Sequence, residues 1–185
     1  MTQEEEFVVN PLVKYFGNHG RSGAGWSTRS KPKFGSSATG WDLEVERKNQ
    51  VLLIEAKYIR GAFASAFAGL VIAPLSKRPE KMKSGKYRSW ASVVCWAIGW
   101  GHKEYKNDIY QILLDYLSRN LKFWEYYSKT LKVKYIYFVN NKKVAKINFD
   151  KIIKLSNKYK SSANQSQPER IKIAKKLLKN HLKFK

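Results

Sequence analysis

Residues Val51 to Tyr58 form an almost unbroken apolar run that ends in Glu55-Ala56-Lys57, and this run restricts the fold more than any other stretch of the chain. A short apolar segment of this kind, bounded by polar residues, reads as a strand covered on both faces, which requires helices on each side of a sheet. The segment before it, Trp41 to Arg47, alternates, with Asp42, Glu44 and Glu46 on one face and Trp41, Leu43 and Val45 on the other. Lys48-Asn49-Gln50 between them is a polar turn, so the two segments predict a hairpin.

Around this hairpin the pattern predicts an α/β fold with a mixed central sheet and flanking helices. Thr2 and Glu5 have the spacing of a capping box, which opens a helix ending near Gly17; Pro11 either kinks it or begins a shorter helix capped by Asn10. Residues 17–40 are rich in Gly, Ser, Thr and Arg and read as loop, with a short strand near Trp26 to Thr28. Phe63 to Leu75 suggests a helix, Ser76 to Arg88 an exposed basic loop, and Ser89 to Trp100 an apolar aromatic segment compatible with strand or helix. Asn107 to Leu131 has helical periodicity, Lys134 to Val139 reads as a strand, and Asn140-Asn141 begins a turn. A strand over Lys143 to Phe149, a helix from Asp150 and a last basic helix from Pro168 complete the expectation. The chain thus divides into a domain over 1–160, with 61–101 as an insertion, and a basic linker and helix over 161–185.

The charge points to a partner. There are 36 Lys and Arg against 14 Asp and Glu, a formal net charge of +22, and an excess of this size destabilises a compact state unless a polyanion is bound. Residues 1–60 carry nine basic and seven acidic side chains, so half of all carboxylates lie in the first third of the chain. No apolar stretch is long enough to span a bilayer, since Phe63 to Leu75 is short and contains Pro74. The acidic start and the single Cys95, set among Val93, Val94 and Trp96, suit a cytoplasmic or nucleoid-associated protein without disulfides. Cys95 reads as a buried small hydrophobe. His19 and His102 lie beside glycines, without a carboxylate placed to orient them as bases.

The chemistry concentrates on the hairpin. Glu55 and Lys57 are two apart on a strand and share a face, and Asp42 lies near the start of the neighbouring strand. Hydrolysis of a phosphodiester uses one or two divalent cations, and magnesium prefers a few carboxylate oxygens while keeping several waters. Asp42 and Glu55, with the backbone carbonyl of Ala56, would supply such oxygens to Mg2+, or to Mn2+ in its place. Lys57 would stabilise developing charge or, with a lowered pKa, help deprotonate the water. Glu44 or Glu46 remains open as an alternative ligand.

Thr39-Gly40-Trp41-Asp42, twelve residues, then Glu55-Ala56-Lys57 resembles the PD-(D/E)XK nuclease superfamily, which includes restriction endonucleases, Holliday-junction resolvases and repair nucleases. The resemblance implies a restriction-endonuclease-like core of a helix, a hairpin with its adjoining strand, a second helix and a further strand. It covers residues 1–60, and 107–140 by element order alone. Trp41 stands where the family pattern has Pro. Resolvase-like members add a glutamate on the first helix, here Glu5 or Glu6, and a small hydroxyl residue before the hairpin, here Ser27 or Ser36. The activity implied is DNA cleavage, and cutting both strands would call for a homodimer. Small size and high charge suit a resolvase, whereas the long aromatic segment 61–101 suits the base-reading loops of a restriction enzyme.

Two basic stretches would grip phosphates: Arg29, Lys31 and Lys33 before the site, and Lys77, Arg78, Lys81, Lys83, Lys86 and Arg88 after it. The C-terminal lysines Lys172, Lys175, Lys176 and Lys179 offer a further track, an amphipathic cap or a dimer contact. The alternatives to a DNA endonuclease are a non-catalytic nucleic-acid-binding protein, which explains the charge equally well, and a ribonuclease.

Overall fold

The computed structural model describes residues 2–19, 27–30, 41–47, 50–60, 63–76, 92–100 and 108–185. Six strands form one mixed sheet in sequence order: β1 (Ser27–Ser30), β2 (Leu43–Arg47), β3 (Gln50–Ile59), β4 (Ser92–Trp100), β5 (Val133–Asn140) and β6 (Lys143–Asn148). The first three pair antiparallel as a meander, β4 and β5 join parallel to β3, and β6 returns antiparallel. Helix α1 (Asn10–His19) lies on one face, and α2 (Phe63–Ser76), α3 (Asp108–Ser118), α4 (Leu121–Thr130), α5 (Phe149–Lys160) and α6 (Gln167–Lys179) lie on the other.

The alternation of β3 fixes this layering. Val51 and Leu53 belong to the larger core with Phe67, Leu70, Trp96 and Leu113, whereas Leu52, Ile54 and Ala56 belong to the smaller core with Val8, Leu12 and Phe16. Both sets are buried, as the apolar run requires. The alternation of the preceding segment holds from Leu43 onward but fails at Trp41. Asp42 forms a bend, so Trp41 enters the larger core while Leu43 and Val45 enter the smaller one.

Two prolines interrupt helices, and each disruption has a local remedy. Pro11 has no N–H to return to the preceding turn, and a π-helical turn over Glu5–Val9 absorbs the mismatch, with the Asn10 N–H reaching the Glu5 carbonyl. The helix therefore continues through Pro11 and on to His19. The expected capping box is formed: the Thr2 N–H donates to Glu5 Oε2 at 2.7 Å and the Glu5 N–H to Thr2 Oγ1 at 3.2 Å. Pro74 inside α2 leaves the Leu70 carbonyl without its helical donor. The buried Tyr127 hydroxyl covers that end, donating to Val71 O at 3.0 Å and Leu70 O at 3.4 Å.

The structure adds detail to three expectations. Within 61–101, Phe63–Ser76 form α2 and Ser92–Trp100 form β4, which pairs with β3 and β5 inside the sheet. In place of one helix, Asp108–Ser118 and Leu121–Thr130 are two, because Asn120 leaves the helical conformation and its side chain caps α4 by accepting from the Phe123 N–H. The segment 161–185 is packed into the larger core through Ala174 and Leu178 of α6, and Arg170 pairs with Asp115 of α3. Beyond α6, the Lys185 and Val144 backbones exchange hydrogen bonds at 3.0 and 3.1 Å. The β5–β6 turn carries positive φ at Asn141 and Lys142, the geometry of a two-residue hairpin turn that follows the sheet's twist. Among the described residues no helix is long and apolar enough to cross a membrane.

One close approach brings the N-terminal helix onto the sheet. A Cβ at Gly99 of β4 would lie 2.5 Å from Val8 Cγ2, so only glycine lets the buried π-helical turn settle there. Gly99→Ala should cost about 1–3 kcal/mol, the scale of overpacking a filled core. A urea midpoint equal to that of the native chain would show that the turn yields freely.

Candidate active site

The site forms where the meander opens at the carboxyl end of β3. Leu43–Ile54 is the first pair of the β2–β3 ladder, and Asp42 stands just before it at the bend. Its Oδ2 accepts the Ala56 N–H at 2.8 Å. The bend that removed Trp41 from the alternation thus turns the Asp42 carboxylate onto the backbone between Glu55 and Lys57.

Glu55 and Lys57 share one face, and the Lys57 Nζ lies 3.4 Å from Glu55 Oε1. The Glu55 side chain is 8% exposed and that of Lys57 26%, so a carboxylate is held inside the protein beside an ammonium that still reaches solvent. A third carboxylate comes from the N-terminal helix: Glu4 Oε2 is 3.6 Å from the same Nζ. The helix glutamate that reaches the site is therefore Glu4. Glu5 is engaged in the capping box with Thr2, and Glu6 is exposed.

Electrostatics follow from this packing. Burial pulls the Lys57 pKa down, but Glu55, Glu4 and Asp42 together outweigh it and hold it above its ordinary value. Within the protein's own charges Lys57 is a cation, and the expected lowering toward a neutral base is absent. Burial raises the Glu4 pKa; Lys57 and the Tyr58 N–H counter it, while Asp42 and Glu55 add to it. Among the described residues, one ammonium thus faces these three carboxylates.

Glu44 lies on the same side of the sheet, paired with Leu53 of the larger core. It is 3% exposed and, among the described residues, its Oε2 has no hydrogen-bond partner. A buried carboxylate oxygen without a donor is costly, and a cation nearby would relieve it. Among the described residues no three His, Cys, Asp or Glu side chains are grouped as a ready-made metal cage. Magnesium is usually held by one or two carboxylates together with water and phosphate oxygens, so Asp42, Glu55 and the Ala56 carbonyl fit it by chemistry.

Gly69 of α2 supports the lysine. A Cβ there would lie 2.8 Å from Lys57 Cε and 3.5 Å from Cδ, so the aliphatic stem lies along the bare helix backbone. Gly69→Ala should favour the helix by up to about 1 kcal/mol while pushing Lys57 off its position, so that Tm holds or rises as activity falls. Activity equal to the native level would show that the stem has room elsewhere.

Of the other expected residues, Ser27 and Arg29 lie on β1, opposite Glu46 and Glu44 of β2. Ser36, Lys31, Lys33, Lys77, Arg78, Lys81, Lys83, Lys86, Arg88 and His102 lie outside the described residues. Cys95 is fully buried, and burial pushes its thiol up to about 12, which keeps it protonated and inert at neutral pH.

The fold and site define an α/β protein with a carboxylate and lysine cluster at the open end of a meander. Comparison with family models, with curated proteins and with solved structures gives no match to this chain.

Proposed function

We propose that this protein is a divalent-metal-dependent endodeoxyribonuclease of the PD-(D/E)XK type. The observation that carries the reading is the convergence of Asp42, Glu55 and Lys57 at one end of β3, with the Asp42 carboxylate on the Ala56 N–H and Lys57 against Glu55. The element order supports it: a helix, a three-stranded meander, a second helix, then β4 parallel to β3, as in the restriction-endonuclease-like core. In this reading α2 and β4 would fill the places of the second helix and the further strand. A glutamate from the first helix beside the lysine, as in resolvase-like members, adds to the match.

In this reading Asp42 and Glu55, with the Ala56 carbonyl, would hold Mg2+ or Mn2+, which when bound would supply charge neutralisation and lower the pKa of water. The residues do the rest. Asp42 fixes the end of β2 against β3, which sets the spacing of the two carboxylates. Lys57, cationic and partly exposed, presents an ammonium to a non-bridging phosphate oxygen and stabilises the charge that grows on it. Glu4, 3.6 Å from the same ammonium, shares it with Glu55.

Within this reading the net charge of +22 suits a resolvase-like form, and the segment 61–101, of which Trp96 and Trp100 are buried in the core, keeps a restriction-enzyme form open. A homodimer remains part of the proposal, because paired cuts need two sites. The test is incubation with supercoiled plasmid, linear duplex, four-way junction and single-stranded RNA, each with Mg2+, Mn2+ or a chelator. Chelator-sensitive cutting of DNA is expected, strongest on the junction. Tight binding without cutting on every substrate would leave the non-catalytic binder as the better reading, and cutting of RNA alone would leave the ribonuclease.

A further inference from the structure

The β5–β6 hairpin separates two clefts, both basic. One, of about 410 Å3, is lined by Tyr110, Asn140, Lys143, Lys175, Lys179 and Phe184 among others. The second, of about 400 Å3, is lined by Pro11, Lys14, Tyr15, Lys142, Lys143 and Lys185 among others. The first opens toward α6 and the second toward α1, which lie on opposite faces of the sheet. The exposed Lys143 belongs to both. Among the described residues no acidic side chain lines either cleft.

The turn between them stands out as a ridge. Asn141 and Lys142 are exposed at its tip, held by left-handed backbone at both positions, and the Asn140–Lys143 pair closes it. Its place in the sheet relates it to the candidate active site. Ile59, Trp100 and Asn140 are in register across β3, β4 and β5, so the ridge begins two strands over from the end of β3. At the usual strand spacing this is roughly 10 Å. Glu55, in register with Trp96 and Ile136, lies four residues before that end, so the carboxylates sit roughly 13 Å further back along β3.

We infer that the β5–β6 turn rides in a groove of duplex DNA, with the two clefts taking the phosphate backbones on either side. The occupant is set by charge and shape: a single strand has one backbone to offer, whereas two lysine-lined clefts flanking one ridge match the paired backbones of a duplex. Lys175 and Lys179 hold one backbone, Lys14 and Lys185 the other, and Lys142 and Lys143 sit between them. This deepens the nuclease reading and rests on it for the identity of the polyanion.

The test is fluorescence anisotropy of a labelled duplex and of a single strand of equal length, across a salt series with a chelator present, so that no cutting occurs. Lys175→Gln/Lys179→Gln and Lys14→Gln/Lys185→Gln are compared with Lys151→Gln/Lys154→Gln on α5, a control with the same loss of charge whose exposed lysines line neither cleft. Each cleft variant should weaken duplex binding at least tenfold more than the control and lower the salt slope by about 2, close to one unit for each phosphate that is no longer neutralised. Equal effects in all three variants, or an effect in one cleft only, would overturn the inference. A native chain that binds no DNA would count against the nuclease reading instead.

Discussion

Lys57→Ala should reduce DNA cleavage by about 10²–10³-fold or more, the loss seen when one preorganised donor to a developing oxyanion is removed, with DNA binding left largely intact. The ammonium is 3.4 Å from Glu55 and 3.6 Å from Glu4, and Asp42 adds a third carboxylate that raises its pKa. Two companion variants separate its possible roles. Lys57→Met keeps the stem that lies along Gly69 and removes only the charge, so it should be as inactive as Ala. Lys57→Arg keeps the charge and should retain more activity than either. Because its pKa is raised, Lys57 contributes stability that is fully present below the unfolded value of 10.5 and lost as pH rises through the folded value. Across neutral and mildly alkaline pH the residue should stay charged, and the cleavage rate should show no step assignable to its titration. A rate that climbs with pH in the native chain and is flat in Lys57→Arg would mean that Lys57 acts as a base, and the electrostatic role would be wrong. Binding lost in step with activity would make it structural.

The parts of the site that were legible in the sequence are those where local pattern and global fold agree. β3 was readable because a strand buried on both faces cannot alternate, and Glu55 and Lys57 stood out as charges at the end of such a run. Glu4 was missed, although a signal was present. The Thr2–Glu5 capping box commits the Glu5 carboxylate to the Thr2 N–H, and the roughly 100° turn per residue of a helix then gives its neighbours different faces. That leaves Glu4 or Glu6, and only the packing of Val8 against Gly99 decides which one meets the sheet. β4 is buried on both faces in the same way, with Val94, Trp96 and Ile98 in one core and Cys95 and Ala97 in the other, and its longer run carries no period that separates strand from helix. The break between α3 and α4 was hidden because Leu117, Leu121 and Trp124 keep a helical spacing across it. Asn120 was the only local sign, and its capping bond depends on where the chain turns.

Asp42→Asn is the second large effect, and pairing it with Asp42→Ala separates two jobs that one carboxylate performs. Its Oδ2 accepts the Ala56 N–H at 2.8 Å, which is structural, and the remaining charge would help to hold the cation, which is catalytic. Asparagine keeps a carbonyl oxygen for the N–H and removes the charge. The expected result is cleavage lost and the apparent affinity for Mn2+ lowered by at least about 10–100-fold, since changes in the outer shell of metal sites alone reach that scale. Stability should stay close to native. Alanine removes both, and the stranded Ala56 N–H should cost a further 1–3 kcal/mol, roughly the penalty of a buried unsatisfied donor, read as a shift in the urea midpoint. Calorimetric titration with Mn2+ and a denaturation curve on each variant are sufficient. If Asp42→Asn binds the ion as the native chain does, Asp42 only fastens β2 to β3, and the metal contacts must be sought at Glu55 and the orphaned oxygen of Glu44. If Asp42→Asn and Asp42→Ala are equally destabilised, the asparagine amide fails to replace the carboxylate at the N–H, and the charge itself stabilises that end of the sheet.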